Sequence, residues 1–112
     1  MDARIVIVTV VLADSLRYSL RRADLCRSVN LSSSRLQHLF KSETGKTLAQ
    51  YRKDARMDEA RLLLRTTLLS VKEIMHRVGI GSASHFAHDF RAACGLSPTQ
   101  YRSRTHESSP ES

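Results

Sequence analysis

A chain of 112 residues has room for one domain or two small subdomains, and none for the separate cofactor and substrate halves of a large α/β enzyme. Apolar residues make up 41% of it, with 4 Gly, 2 Pro and no Trp, so the core must be mainly Leu, Val, Ile and Ala, in helices rather than a turn-rich sandwich or barrel. Lys and Arg number 18 against 11 acids, a net charge of +7; that balance marks a nucleic-acid binder and would also suit a membrane-surface helix.

The run Ile5-Val6-Ile7-Val8-Thr9-Val10-Val11-Leu12-Ala13 is too short to span a bilayer. Asp2 and the single Arg4 make a poor charged flank for a signal peptide. Ile5, Val8, Leu12 and Leu16 form one stripe of a first helix, although the β-branched content suits a strand equally well. A second helix is expected over residues 19–29, opened by Ser19 and ended by Asn30. Ser32 is the N-cap candidate for a third, to about Thr44, with Gly45 as its stop. Leu36, Leu39 and Phe40 give that helix its buried stripe. Thr47 caps a longer helix, residues 48–66, and Ser70-Val71-Lys72-Glu73 is a capping box opening a helix through Val78. Ser82 starts another to Cys94, with Phe86, Phe90 and Ala93 on one face and Gly95 as its stop. Ser97-Pro98 opens the last short helix. Residues 103–112, rich in Ser, Glu and Pro, read as a disordered tail.

An internal repeat organises these elements. Val29-x-Leu31-Ser32-x-x-x-Leu36-x-x-x-Phe40-Lys41-x-x-x-Gly45-x-Thr47-x-x-Gln50-Tyr51-Arg52 returns about fifty residues later. The second copy is Val78-x-Ile80-x-Ser82-x-x-x-Phe86-x-x-x-Phe90-Arg91-x-x-x-Gly95-x-Ser97-x-x-Gln100-Tyr101-Arg102, with one residue inserted near Gly81. Each copy reads as short helix, tight turn, longer helix, the pattern whose second helix enters the DNA major groove. A small residue is wanted where each helix pair crosses. Cys26 fills that place, and Met75 is large for it.

With those residues in place the chain resembles the DNA-binding domain of the AraC/XylS regulators. The resemblance is carried by Leu25-Cys26, Val29, Leu31-Ser32, Leu36, Leu39-Phe40-Lys41, Gly45, Arg56-Met57, Ala60 and Leu63-Leu64, then by Val71, Glu73-Ile74, Val78-Gly79-Ile80, Ser82, Phe86 and Phe90-Arg91. It closes on Gly95-x-Ser97-Pro98-x-x-Tyr101-Arg102, and runs over residues 19–102. It implies an all-α, homeodomain-like domain of about seven helices in which two tandem helix-turn-helix subdomains, residues 4–45 and 67–102, are joined by a linker helix, 46–66. It also implies double-stranded promoter DNA as ligand, RNA polymerase as partner, activator-type bacterial regulation, and a place in the cytoplasm on the nucleoid. Most members carry a separate sensor or dimerisation domain; a chain of this length is a standalone short member or a fragment. Arg21-Arg22 ahead of Leu25, Ile80 for the usual Phe and Met75 for the usual Ala depart from the pattern. A nineteen-residue linker would be roughly 28 Å long, against about 34 Å between successive major-groove faces on one side of DNA.

By position, Ser34, Gln37 and His38 match the family's base-reading slots, with Arg35 on the flank. Gln37 can pair with adenine, His38 can donate to guanine, and Lys41 suits a phosphate. The corresponding face of the second unit carries Ser84, His88 and Arg91, with Ala83 and His85 beside it; base contacts fall to Ser84, His85 and His88, and Arg91 takes phosphate. It is poorer in hydrogen-bonding groups, so more of the specificity is expected from the first unit. Ser32, Ser33 and Ser82 stand at helix N-termini, where a backbone N–H can hold a phosphate or the hydroxyl can simply cap. Arg52 and Arg102, equivalent in the repeat, suit a phosphate contact or an internal ion pair.

His85 and His88, with Asp89 beside them, have metal-binding spacing, but they fall on the expected DNA face and no second ligand pair exists. No metal and no cofactor are expected. Asp89 stands where the first copy has Leu39, which calls for an ion pair with an arginine. Cys26 and Cys94 form neither a four-cysteine zinc site nor a disulfide framework, consistent with a reducing compartment. No nucleophile–base order or Gly-rich phosphate loop points to an enzyme. Two rivals remain open: a fragment acting chiefly as a protein-interaction module, and a non-specific basic nucleic-acid binder.

Overall fold

Nearly every helix of this chain starts where a side-chain oxygen takes up one of its otherwise unpaired N–H groups. The computed structural model describes residues 1–16 and 21–107 and gives α1 (Ala3–Asp14), α2 (Arg22–Val29), α3 (Ser33–Thr44), α4 (Leu48–Thr66), α5 (Val71–Arg77), α6 (Ala83–Cys94) and α7 (Pro98–Glu107). Asp2 accepts from the Arg4 N–H at 2.8 Å, Ser32 from Arg35 at 3.3 Å and Thr47 from Gln50 at 3.1 Å. Ser82 accepts from His85 at 3.3 Å and Ser97 from Gln100 at 3.2 Å. The capping box is complete: Ser70 accepts from Glu73 N–H and donates its own N–H to the Glu73 carboxylate, both at 3.0 Å. Helix α2 differs, opening on Arg21 with no side-chain cap. The start expected at Ser19 lies outside the described residues.

The chain divides into two compact units, Met1–Ala55 and Arg56–Ser112. The division falls inside α4. Its Leu48 belongs to the first core, and Met57, Ala60 and Leu64 belong to the second.

In the first unit Ile5, Val8 and Leu12 of α1 pack with Leu25, Val29, Leu36, Phe40 and Leu48. The β-branched run is therefore a helix, since three of its residues supply the i, i+3, i+7 face this core requires. In the second unit Met57, Ala60 and Leu64 pack with Ile74, Met75, Val78, Ile80, Phe86 and Phe90. Met57-x-x-Ala60-x-x-x-Leu64 repeats the spacing of Ile5-x-x-Val8-x-x-x-Leu12, so the back half of α4 does for its unit what α1 does for the other. Ala60 is smaller than its counterpart Val8 and Met75 larger than Cys26, so a volume shifted within the same core accommodates the methionine. Ala93, expected on the buried face, is exposed.

The likeness extends to the turns. Asn30 and Gly79 both take left-handed backbone, φ 55° and 82°. The next residues, Leu31 and Ile80, each donate back at 3.0 Å, to Cys26 and Met75 carbonyls. Phe40 meets Tyr51 edge-on at 5.2 Å, and Phe90 meets Tyr101 at 5.5 Å. One expectation fails at the C-terminus. Residues 103–107 continue α7 as helix, with the Thr105 hydroxyl donating to the carbonyls of Tyr101 and Arg102; residues 108–112 of the expected tail lie outside the described residues.

Candidate nucleic-acid interface

Helix α3 turns Leu36 and Phe40 into the first core and half-buries Leu39. The rest of the helix then follows from its period of 3.6. Ser34, Arg35, Gln37, His38 and Lys41 are all exposed, on the side away from those residues. Ser42 is exposed there too; it follows His38 by one turn and escaped the reading by pattern.

Hydrogen bonds refine the individual roles. Ser32 caps α3 through its hydroxyl, which leaves its oxygen engaged in the helix. The Gln37 amide donates to the Ser33 hydroxyl at 3.1 Å. Bidentate pairing of Gln37 with adenine requires that exposed bond to be exchanged, a small net cost. His38 borders two grooves. One, of about 460 Å³, is lined by Arg22, Gln37, His38, Lys41, Ser42 and Thr47 among others. The other, of about 420 Å³, brings Arg4 up to Ser34, Arg35 and His38. Arg22 and Arg4 were missed because neither lies on the recognition helix, and only packing brings them alongside it. Arg4 also pairs with Asp2, at 2.8 Å, and that bond is the main reason the Asp2 carboxyl is held down to about 2.

Helix α6 repeats the arrangement with different side chains. Phe86, Asp89 and Phe90 face inward, and Ser84, His85, His88 and Arg91 are exposed. Where α3 has Gln37 and Ser42, α6 has Ala87 and Ala92, both exposed. Ser82 caps α6 as Ser32 caps α3. The buried Asp89, expected to pair with an arginine, has the Nε2 of His85 among its partners at 3.1 Å. Among the described residues no group of three or more His, Cys, Asp and Glu side chains comes together as a metal site.

Arg52 and Arg102 face inward instead of toward the exposed helix faces. Arg52 donates to the Ser15 carbonyl at 3.1 Å, and its burial lowers its pKa below the ordinary arginine value. Arg102 donates through Nε to Leu64 and through an Nη to Thr67, both at 3.3 Å. These carbonyls lie at or just beyond the C-termini of α1 and α4, where the helix leaves acceptors unpaired. Both arginines thus tie a helix end to its unit. No described helix is long and apolar enough to cross a membrane.

A family model described as a helix-turn-helix domain matches residues 25–104. The chain is 34% identical over 85 residues to the arabinose operon regulatory protein of Escherichia coli (strain K12), covering 76% of this chain and 29% of that protein. It is 39% identical over 82 residues to the HTH-type transcriptional activator RhaR of Mannheimia succiniciproducens, covering 73% of this chain and 30% of the relative. It thus spans under a third of the length of these regulators. The solved DNA-binding domain of AdpA, a global transcriptional factor crystallised with a target DNA, superposes with a TM-score of 0.88 at 26% identity, covering 96% of this chain and 97% of that one. With its two-unit helical architecture, its repeated caps and turns, and this match over most of its length, the chain belongs to the AraC/XylS-type helix-turn-helix family.

Proposed function

We propose that the chain is a sequence-specific DNA-binding module of a transcription regulator, with α3 and α6 each laid in a segment of major groove. The observation that carries this is the repeated exposed face: Ser34, Arg35, Gln37, His38 and Lys41 on one helix, and Ser84, His85, His88 and Arg91 at equivalent places on the other. Ser, Gln, Arg and His offer the donors and acceptors that base edges require. Lys41 and Arg91, one helical turn on from Gln37 and Ala87, suit phosphates. Arg22 joins them, since it lines the same groove as Lys41. For Ser32 and Ser82 the capping bonds favour the structural role, leaving the N–H of Ser33 to meet a phosphate. The likeness to the DNA-bound domain of AdpA supports the reading, as do relatives described as operon regulators and activators. Action in the cytoplasm on promoter DNA, contact with RNA polymerase, and attachment to a sensor or dimerisation domain belong to the same proposal.

Selection from random double-stranded DNA tests it. Recovery of a bipartite motif with elements about 10 bp apart is the expected result. Uniform binding with no enriched sequence would leave only a basic, non-specific binder.

A further inference from the structure

The second recognition helix carries a buried acid where the first has a leucine. Asp89 occupies the place of Leu39 and its side chain is 8% exposed, whereas that of His85, one turn earlier, is 66% exposed. Placing a carboxylate there in isolation would be costly, and the structure sets its Oδ2 3.1 Å from the Nε2 of His85. The counterpart of His85 in α3 is Arg35, which has a leucine beneath it instead.

An ionised carboxylate can only accept hydrogen bonds, so the Nε2 facing it must carry a proton. That leaves Nδ1 as the one ring nitrogen able to meet a base. In a neutral ring Nδ1 is then bare and can only accept. Base donors in the major groove are the exocyclic amines, N4 of cytosine and N6 of adenine; guanine presents acceptors alone. We infer that Asp89 is a positioning residue that locks the tautomer of His85, making it an acceptor that selects cytosine or adenine at one position read by α6. This rests on the proposed reading of DNA by α6 and adds a specificity determinant to it. Without the carboxylate, either nitrogen could carry the proton and the ring could offer a donor or an acceptor, so discrimination there would relax.

The test runs the random-DNA selection at about pH 8, where an ordinary histidine is neutral, on the whole chain and on His85→Ala and Asp89→Leu. Leucine is the residue the first repeat carries at that place. The expected result is one α6 position enriched in cytosine or adenine that loses about three- to tenfold of its discrimination in both variants, with the α3 positions unchanged. Retention of that preference by Asp89→Leu would overturn the inference, as would a guanine or thymine at the position His85→Ala erases. No enriched sequence in the unaltered chain would sink the DNA-reading proposal itself, a separate outcome. If Asp89→Leu fails to fold, the imidazole nitrogen shifts of His85 in the unaltered chain decide. A protonated Nε2 with a bare Nδ1 supports the lock, and a protonated Nδ1 in the neutral ring excludes it.

Discussion

Arg52 and Arg102 show how one residue type does structural work that its charge alone does not reveal. Both end the same repeated motif, and both send a guanidinium to backbone carbonyls near a helix C-terminus, those of Ser15 for one and of Leu64 and Thr67 for the other. A helix end carries partial negative charge and unpaired acceptors, and the planar fork of arginine reaches two of them at once. Arg102→Ala should therefore cost about 1–3 kcal/mol, the range for leaving buried acceptors unpaired, read as a lower urea midpoint with an unchanged slope. Arg102→Lys should restore less than half of that, because an ammonium cannot span both carbonyls in the same geometry. DNA sequence preference should be unmoved by either. A change in the selected motif without a change in stability would instead make Arg102 a DNA contact.

At the scale of single helices, boundaries depend on a few capping atoms. Helix α5 has seven residues, too few to persist alone, and its start is held by the Ser70–Glu73 box. Ser70→Ala should cost about 1 kcal/mol of unfolding free energy. Glu73 adds a pH signature. The Ser70 N–H and hydroxyl, with Arg77 contributing, hold its carboxyl below the ordinary glutamate range. A depressed carboxyl pKa contributes stability above the unfolded value and loses it as pH falls through the folded one. Acid titration of stability below about pH 4.5 should thus flatten in Glu73→Gln relative to the unaltered chain; an identical acid limb would show the box makes no contribution. These caps were legible because each Ser or Thr precedes an apolar period, and so were the stops at Gly45 and Gly95. Arg22 beside Lys41, Gln37 held by Ser33, and Asp89 against His85 were not, because each depends on packing or rotamers that spacing does not specify. The two recognition faces also differ in chemistry: α6 has Ala87 and Ala92 where α3 has Gln37 and Ser42. His38→Ala should accordingly erase more of the selected motif than His88→Ala, and the reverse order would place the main reading on α6.

For the molecule as a whole the repeat is more complete than the helix-turn-helix pattern alone suggests. Residues 17–102 hold 16 of the basic groups and 7 of the acids, so the positive charge that draws phosphates is concentrated on the repeated part. Around it each unit assembles a like core, in which Leu12 and Leu64 stand at matching places, 2% and 0% exposed. Each is the last apolar residue of the helix face that backs a recognition helix. Replacing either with Ala removes a buried side chain and leaves a cavity, at about 2–5 kcal/mol. That is a large share of what a domain this small holds in reserve. If each core supports its own reading helix, Leu12→Ala should abolish protection of the part of the bound site read by α3 and leave the α6 part footprinted. Leu64→Ala should do the opposite. Equal loss of both parts in both variants would mean that the two units fold and bind as one cooperative body, and that the division inside α4 has no energetic counterpart.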